Sequence, residues 1–186
     1  MKRLLLWLPL AVLALSACRQ DTAALPDPVE MTPETVGFYC QMALLEHDGP
    51  QGQIHLDGMP APLFFSQVKD AVAYLHMPEQ SHAVVATYVQ DMTGATWQTP
   101  GPWIEVSQAV YVIESDARGG MDAPEFVPFS DPTAAAEFAA QHGGRVLAYG
   151  DITAGDVLTA APEPAENTEP DDMAARLKSL ARNQGN

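Results

Sequence analysis

Twice along this chain the same order of elements recurs: strand, turn, short strand, helix, strand. In the first half, Gln53-Ile54-His55-Leu56 reads as a strand, and Gly58 and Pro60 mark a turn. Pro62-Leu63-Phe64-Phe65 reads as a second short strand. Ser66 then stands where a helix cap is expected, and Val68, Val72 and Leu75 fall on one face of the helix that follows. Residues 84–89 are β-branched and aromatic enough to close the unit as a strand. In the second half, residues 103–106 and 109–113 are strand candidates, Gly119-Gly120 makes a turn, and Phe126-Val127-Pro128-Phe129 is a short strand. Ser130 or Asp131 caps a helix with Pro132 in its first turn, where a missing N–H costs least. That helix stops at Gly143-Gly144, and residues 145–149 form the last strand. Phe65-Ser66 and Phe129-Ser130 stand 64 residues apart. The pattern predicts an α+β fold of two small ββαβ-like units, about 36–95 and 96–158, within a core of 36–158.

Outside that core the chain changes character. Residues 1–17 have the layout of a secretory signal: Lys2 and Arg3, an apolar stretch over residues 4–15, then Ser16 and Ala17. The stretch is shorter than the roughly 20 residues a membrane helix needs. Leu15-Ser16-Ala17-Cys18 resembles the bacterial lipobox, which implies acylation of Cys18 and attachment to a lipid bilayer. Arg19 follows, where Asp would favour inner-membrane retention, so the periplasmic face of the outer membrane is favoured over the inner. Residues 18–35 contain Pro26, Pro28 and Pro33 and read as a lipidated tether. Residues 159–186 begin rich in Ala, Pro, Glu and Asp and read as a disordered tail. Met173, Leu177 and Leu180 share one face of a possible short helix within it. The formal charge is −15, and loss of Lys2 and Arg3 with the leader makes the remainder more acidic. Such a chain cannot neutralise phosphates, so nucleic acid is excluded as a partner. A carboxylate-rich surface also serves solubility alone.

Only two cysteines are present, and acylation of Cys18 leaves Cys40 without an intrachain partner. Cys40-Gln41-Met42 places a thiol and a thioether two residues apart. Soft sulfur ligands select Cu(I), and a metal displaces the thiol proton at neutral pH. Met121, in Gly119-Gly120-Met121-Asp122, is a candidate third sulfur from the second half. Met59 and Met92, in other turns, are weaker alternatives, and Met77 reads as the end of the first helix. His47 is the histidine nearest the Cys-x-Met pair and a weaker candidate ligand. His55, His76, His82 and His142 lack partner spacing and read as surface or capping residues. Cys40 and Met42 also suit ordinary core packing. No zinc-type Cys-x-x-Cys or His-Glu-x-x-His, no phosphate loop and no local Ser-His-Asp set is present. No catalytic residues are assigned.

A joint pattern then points to a family. Gly37-Phe38-Tyr39-Cys40-Gln41-Met42-Ala43-Leu44-Leu45-Glu46-His47, followed by Gly52-Gln53-Ile54, resembles the nitrous oxide reductase accessory family, the NosL copper-binding lipoproteins. Tyr88-Val89-Gln90-Asp91-Met92, the Trp103 strand, Tyr111-Val112-Ile113, Gly119-Gly120-Met121, Val127-Pro128-Phe129 and Gly143-Gly144-Arg145-Val146 continue the resemblance. It covers roughly residues 36–152. The resemblance implies a periplasmic Cu(I) chaperone that helps assemble the copper centres of nitrous oxide reductase during denitrification. The apo-reductase and a membrane copper donor are its implied partners. It implies Cys40 and Met42 as copper ligands, with Met121 from the small-residue turn. The turn reads Gly-Gly-Met-Asp here, where many relatives have Gly-Pro-Met-Gly. The family's two ββαβ modules, like those of organomercurial lyase, agree with the halves read above. An enzyme of that lyase type would need more than one thiol, so a chaperone, or a metal-independent scaffold, is the expected alternative to catalysis.

Overall fold

The computed structural model describes residues 24–158. The leader, Cys18 and the tail with its possible helix lie outside the described residues. The chain runs β1 (Gly52–Leu56), β2 (Leu63–Phe65), α1 (Val68–His76), β3 (Val84–Gln90), β4 (Trp103–Glu105), β5 (Val110–Ile113), β6 (Val127–Phe129), α2 (Pro132–His142), β7 (Arg145–Ala148) and α3 (Ala154–Leu158). These strands form two antiparallel sheets, β2-β1-β3-β4 and β6-β5-β7. The α+β fold with two ββαβ units is therefore the observed one.

The first sheet differs from the expected halves at one edge. β4 comes from the second half of the sequence, yet it pairs with β3 through Tyr88–Glu105, Val89–Ile104 and Gln90–Trp103. The reason lies in the link between them. Asp91 N–H donates to Pro102 O at 3.0 Å and Gly101 N–H to Asp91 O at 2.8 Å, which folds the chain back on itself. Residues 103–106, read as one strand, end in a 3-10 turn over Val106–Gln108 that turns the chain into the second sheet. The units also share one core. Val68 and Val72 of α1 and Val89 of β3 pack with Tyr111, Ile113, Phe126, Ile152 and Val157.

Alternation along β1 sets its two faces. Ile54 and Leu56 pack with Ala71 and Tyr74 of α1. Gln53 and His55 point to the other side, where the chain before residue 36 covers Gln53. Gln53 is fully buried; its Oε1 accepts from Val29 N–H at 2.8 Å and its Nε2 donates to Val29 O at 3.0 Å. Tyr88 Oη donates to Pro26 O at 2.6 Å. Residues 26–29, read as part of a free tether, thus form a strap on the sheet, because a buried glutamine and a tyrosine need their polar ends satisfied.

Helix entry shows a second difference. Asp131 caps α2 as expected, accepting from Thr133 N–H at 2.8 Å, with Pro132 in the first turn. Ser66 does not cap α1; Gln67 holds the cap position and its side chain makes no cap bond. The orphan donor is met from the other unit: Glu125 Oε1 accepts from Lys69 N–H at 2.9 Å and from Phe126 N–H at 2.8 Å. Glu125 is buried, and desolvation pushes its carboxyl up to about 8 against the pull of those N–H groups. The folded protein therefore holds a proton that the unfolded chain releases above about pH 4.5. Stability should fall as pH rises from about 4.5 to about 8, by up to about 1.4 kcal/mol per pH unit. Asp70, also raised by burial, adds to the same slope. Burial acts to raise Asp91, but hydrogen bonds from Ser130 and Thr93 outweigh it and hold that carboxyl below its ordinary value; its effect falls below this window. Denaturant midpoints measured across pH 4–9 should show the decline, and Glu125→Gln should flatten most of it. An equal slope in the variant refutes the assignment.

Candidate metal centre

Between the strap and β1 the chain makes a tight hook. Val36 and Ala43 form an antiparallel bridge, and Gly37 N–H donates to Met42 O at 3.0 Å. Gln41 N–H donates to Gly37 O at 2.9 Å, and Gln41 itself sits at φ 55, in the left-handed region. Its side chain offsets that strain: Nε2 donates to Phe38 O at 2.7 Å and Gly37 O at 3.2 Å. Cys40 and Met42 therefore flank the sharp point of a turn, not an extended segment. Gly37 is required here by close approach, since a Cβ would overlap Cys40 Sγ. Beneath lies fully buried Leu44. Gln51 Nε2 donates to Leu44 O at 2.8 Å and fastens the 3-10 turn that follows the hook.

The hook is pinned to the α1 side of the first sheet. Phe38 N–H donates to Phe64 O at 2.6 Å. The Phe38 ring meets Phe65 and Tyr74 edge-on at 5.8 and 5.9 Å. Cys40 is a half-buried free thiol, and Met42 is exposed. A further sulfur lies at this edge: Tyr39 Oη donates to Met77 Sδ at 3.7 Å, and exposed Met77 ends α1.

The second unit brings its loop against His47 and the entry to α1. Gly119 N–H donates to Ala123 O and Asp122 N–H to Gly119 O, both at 2.9 Å, so Met121 sits exposed at the tip of a closed turn. The positive φ belongs to Asp122, at 54°, and not to the glycines. Their role is close approach. A Cβ on Gly120 would stand 2.8 Å from His47 Cβ and 2.9 Å from Ser66 O. The structure thus sets His47 against the Met121 turn, with its Nε2 buried and lacking a protein partner. The hook touches Phe64 and the Met121 turn touches Ser66, two residues further along the chain. The structure thus places the hook beside β2, and His47 with the Met121 turn beside Ser66 at the entry to α1.

The other candidates go elsewhere. Met92 is not a turn ligand: it is buried with Val112, Val127, Phe129 and Ala135. Met59 is exposed in the β1–β2 turn. His55 pairs with Gln53 and stacks edge-on with Tyr88, His82 meets Ser81, and His142 meets Asp116 at 2.9 Å. Among the described residues no three His, Cys, Asp or Glu side chains gather as a metal site. The candidate donors are one thiol and thioethers, which are soft ligands. Sequence reading missed Gln41, Gln51 and Glu125, whose roles depend on partners that spacing does not reveal. Met77 carried one legible signal, its place at a helix stop before Pro78.

A sequence-family model described as NosL matches residues 28–157. The chain belongs to the NosL family. It is 51% identical over 180 residues to a protein described as copper-binding lipoprotein NosL of Achromobacter cycloclastes, covering 94% of this chain and 93% of that one. A protein of the same description from Stutzerimonas stutzeri is 28% identical over 136 residues, covering 68% and 70% of the two chains. The crystal structure of the copper chaperone NosL from Shewanella denitrificans superposes with a TM-score of 0.64 at 26% identity, over 68% of this chain and 96% of that chain. This NosL chain thus carries its Cys-x-Met hook and its Gly-Gly-Met turn within the matched region.

Proposed function

We propose that this NosL-family protein is a Cu(I) metallochaperone, anchored through Cys18 at the periplasmic face of a bacterial membrane, that supplies copper for the centres of nitrous oxide reductase. The observation that carries the reading is the hook, which holds one thiol and one thioether on either side of a single left-handed residue at the protein surface. The descriptions of the relatives, copper-binding lipoprotein and copper chaperone, support it. Cys40 supplies the anionic sulfur. Met42 and Met121 supply neutral thioethers, and His47 stands beside the turn as a weaker donor. Sulfur donors hold Cu(I) without satisfying harder competitors. Exposed Met42 and Met121 leave the metal open to an incoming ligand, so release proceeds by stepwise exchange. One thiol on its own offers no second nucleophile for a lyase, and the protein acts as a carrier and not as an enzyme.

An anaerobic competition titration against a chromophoric Cu(I) chelator tests this directly. One Cu(I) per chain should be retained and then appear in apo nitrous oxide reductase after mixing. If the chelator takes all the copper, the metal-independent scaffold becomes the better reading. Retention without transfer to the reductase removes the proposed acceptor while leaving the copper site standing.

A further inference from the structure

We propose that Glu125 is the positioning residue for the Met121 ligand. This rests on the reading of Met121 as a copper donor. Glu125 is 1% exposed, yet it comes from the second unit and serves the first. Its Oε1 satisfies the amide at the start of α1, and its Oε2 has no hydrogen-bond partner within the protein. That second oxygen faces Gly119. A Cβ on Gly119 would collide with Glu125 Oε2 and with Gln67 Nε2. Gln67 Nε2 in turn donates to Ala123 O at 3.3 Å, the same carbonyl that closes the turn through Gly119 N–H. The base of the Gly119–Asp122 turn is thus seated on the Glu125 carboxyl group and the Gln67 side chain, both standing at the entry of α1. Met121 lies two residues from that seat.

The physical consequence is a division of labour. A methionine on an exposed turn loses rotamer and backbone freedom when it ligates a metal. A seat that already fixes the turn removes part of that cost before copper arrives. Burying a carboxyl group is expensive, and an apolar residue of similar size would serve the core better unless the group holds something in place. The α1 amide, Phe126 N–H and the Gly119 turn are what it holds. Nothing in this arrangement needs Glu125 to touch copper.

Cu(I) affinity and sulfur count, read by chelator competition and X-ray absorption on the full chain, test the idea. Glu125→Gln keeps an acceptor for Lys69 N–H and should bind Cu(I) like wild type. Glu125→Leu fills the volume but leaves that amide and the turn unsupported. It should weaken Cu(I) about tenfold, the lower end of what loss of a supporting partner costs a metal site, and drop one sulfur from the first shell. In a Met121→Leu background the same change should cost nothing further. Should Glu125→Leu fail to fold, Gly119→Ala presses on the same contact from the loop side and should lose the same sulfur. The proposal is overturned if Glu125→Leu and Gly119→Ala retain wild-type affinity and sulfur count, or if their losses add to that of Met121→Leu. Wild-type affinity in Met121→Leu alone removes the ligand reading itself, and the proposal with it.

Discussion

Replacing Cys40 by alanine should lower Cu(I) affinity by more than about 100-fold, since outer-shell partners alone are worth about 10–100-fold and Cys40 is the only anionic sulfur of the set. The thiol sits half-buried over Gly37 and Leu44, so its loss leaves a shallow gap and should shift stability by no more than about 1 kcal/mol. Met42→Ala should weaken binding less, because a neutral thioether holds a cation by polarisability and not by charge. The difference between the two variants reads the chemistry of the hook, provided both melt near wild type. A competition titration with parallel thermal melts makes the comparison. Wild-type affinity in Cys40→Ala ends the case for this site.

How much of this was legible beforehand follows the range of each interaction. Asp131, Pro132 and Gly143 announced α2, because a helix cap is written within a few residues. β1, β2 and β3 were legible from short apolar runs and turn residues. The Cys-x-Met pair was legible as chemistry but not as geometry, since only the fold places Gln41 at positive φ with its amide closing the loop. The cap of α1 was misplaced on Ser66 because its true acceptor lies 56 residues away, on Glu125. The pairing of β4 with β3 was missed for the same reason, since it depends on how the chain turns at Asp91 and Gly101 and not on the strand itself. Met92 looked like Met121 in sequence, each in a polar turn. Burial beside Val112 and Phe129 separates them.

Cys18→Ala should move the protein from the membrane fraction to the soluble fraction while leaving Cu(I) affinity and melting temperature unchanged. Two or more acyl chains hold a protein stably at a bilayer, where one gives marginal binding. Removing the acceptor thiol removes all of them. The described residues begin past this position, and the Cys40 hook shares no described contact with it. Fractionation of cells expressing each form, with mass determination to confirm leader removal, gives the answer. A variant that stays with the membrane after losing its leader sinks the lipid anchor.

If Cys18 carries the proposed anchor, the strap over Gln53 and Tyr88 sets how far the core can travel from it. If residues 18–35 all hung free, the core would roam within about 60 Å of the bilayer. With Pro26 held by Tyr88, it lies only eight residue steps from Cys18, and the leash shortens to at most about 28 Å. Halving the radius of a half-sphere raises local concentration about eightfold with no new contact made. The leash also has a direction. It leaves from the Gln53 and His55 side of the first sheet, while Phe38 pins the Cys40 hook to the α1 side against Phe65 and Tyr74. If Cys18 is anchored as proposed, a pull toward the lipid on one face would turn the other outward, and the Cys40 hook would face away from the membrane.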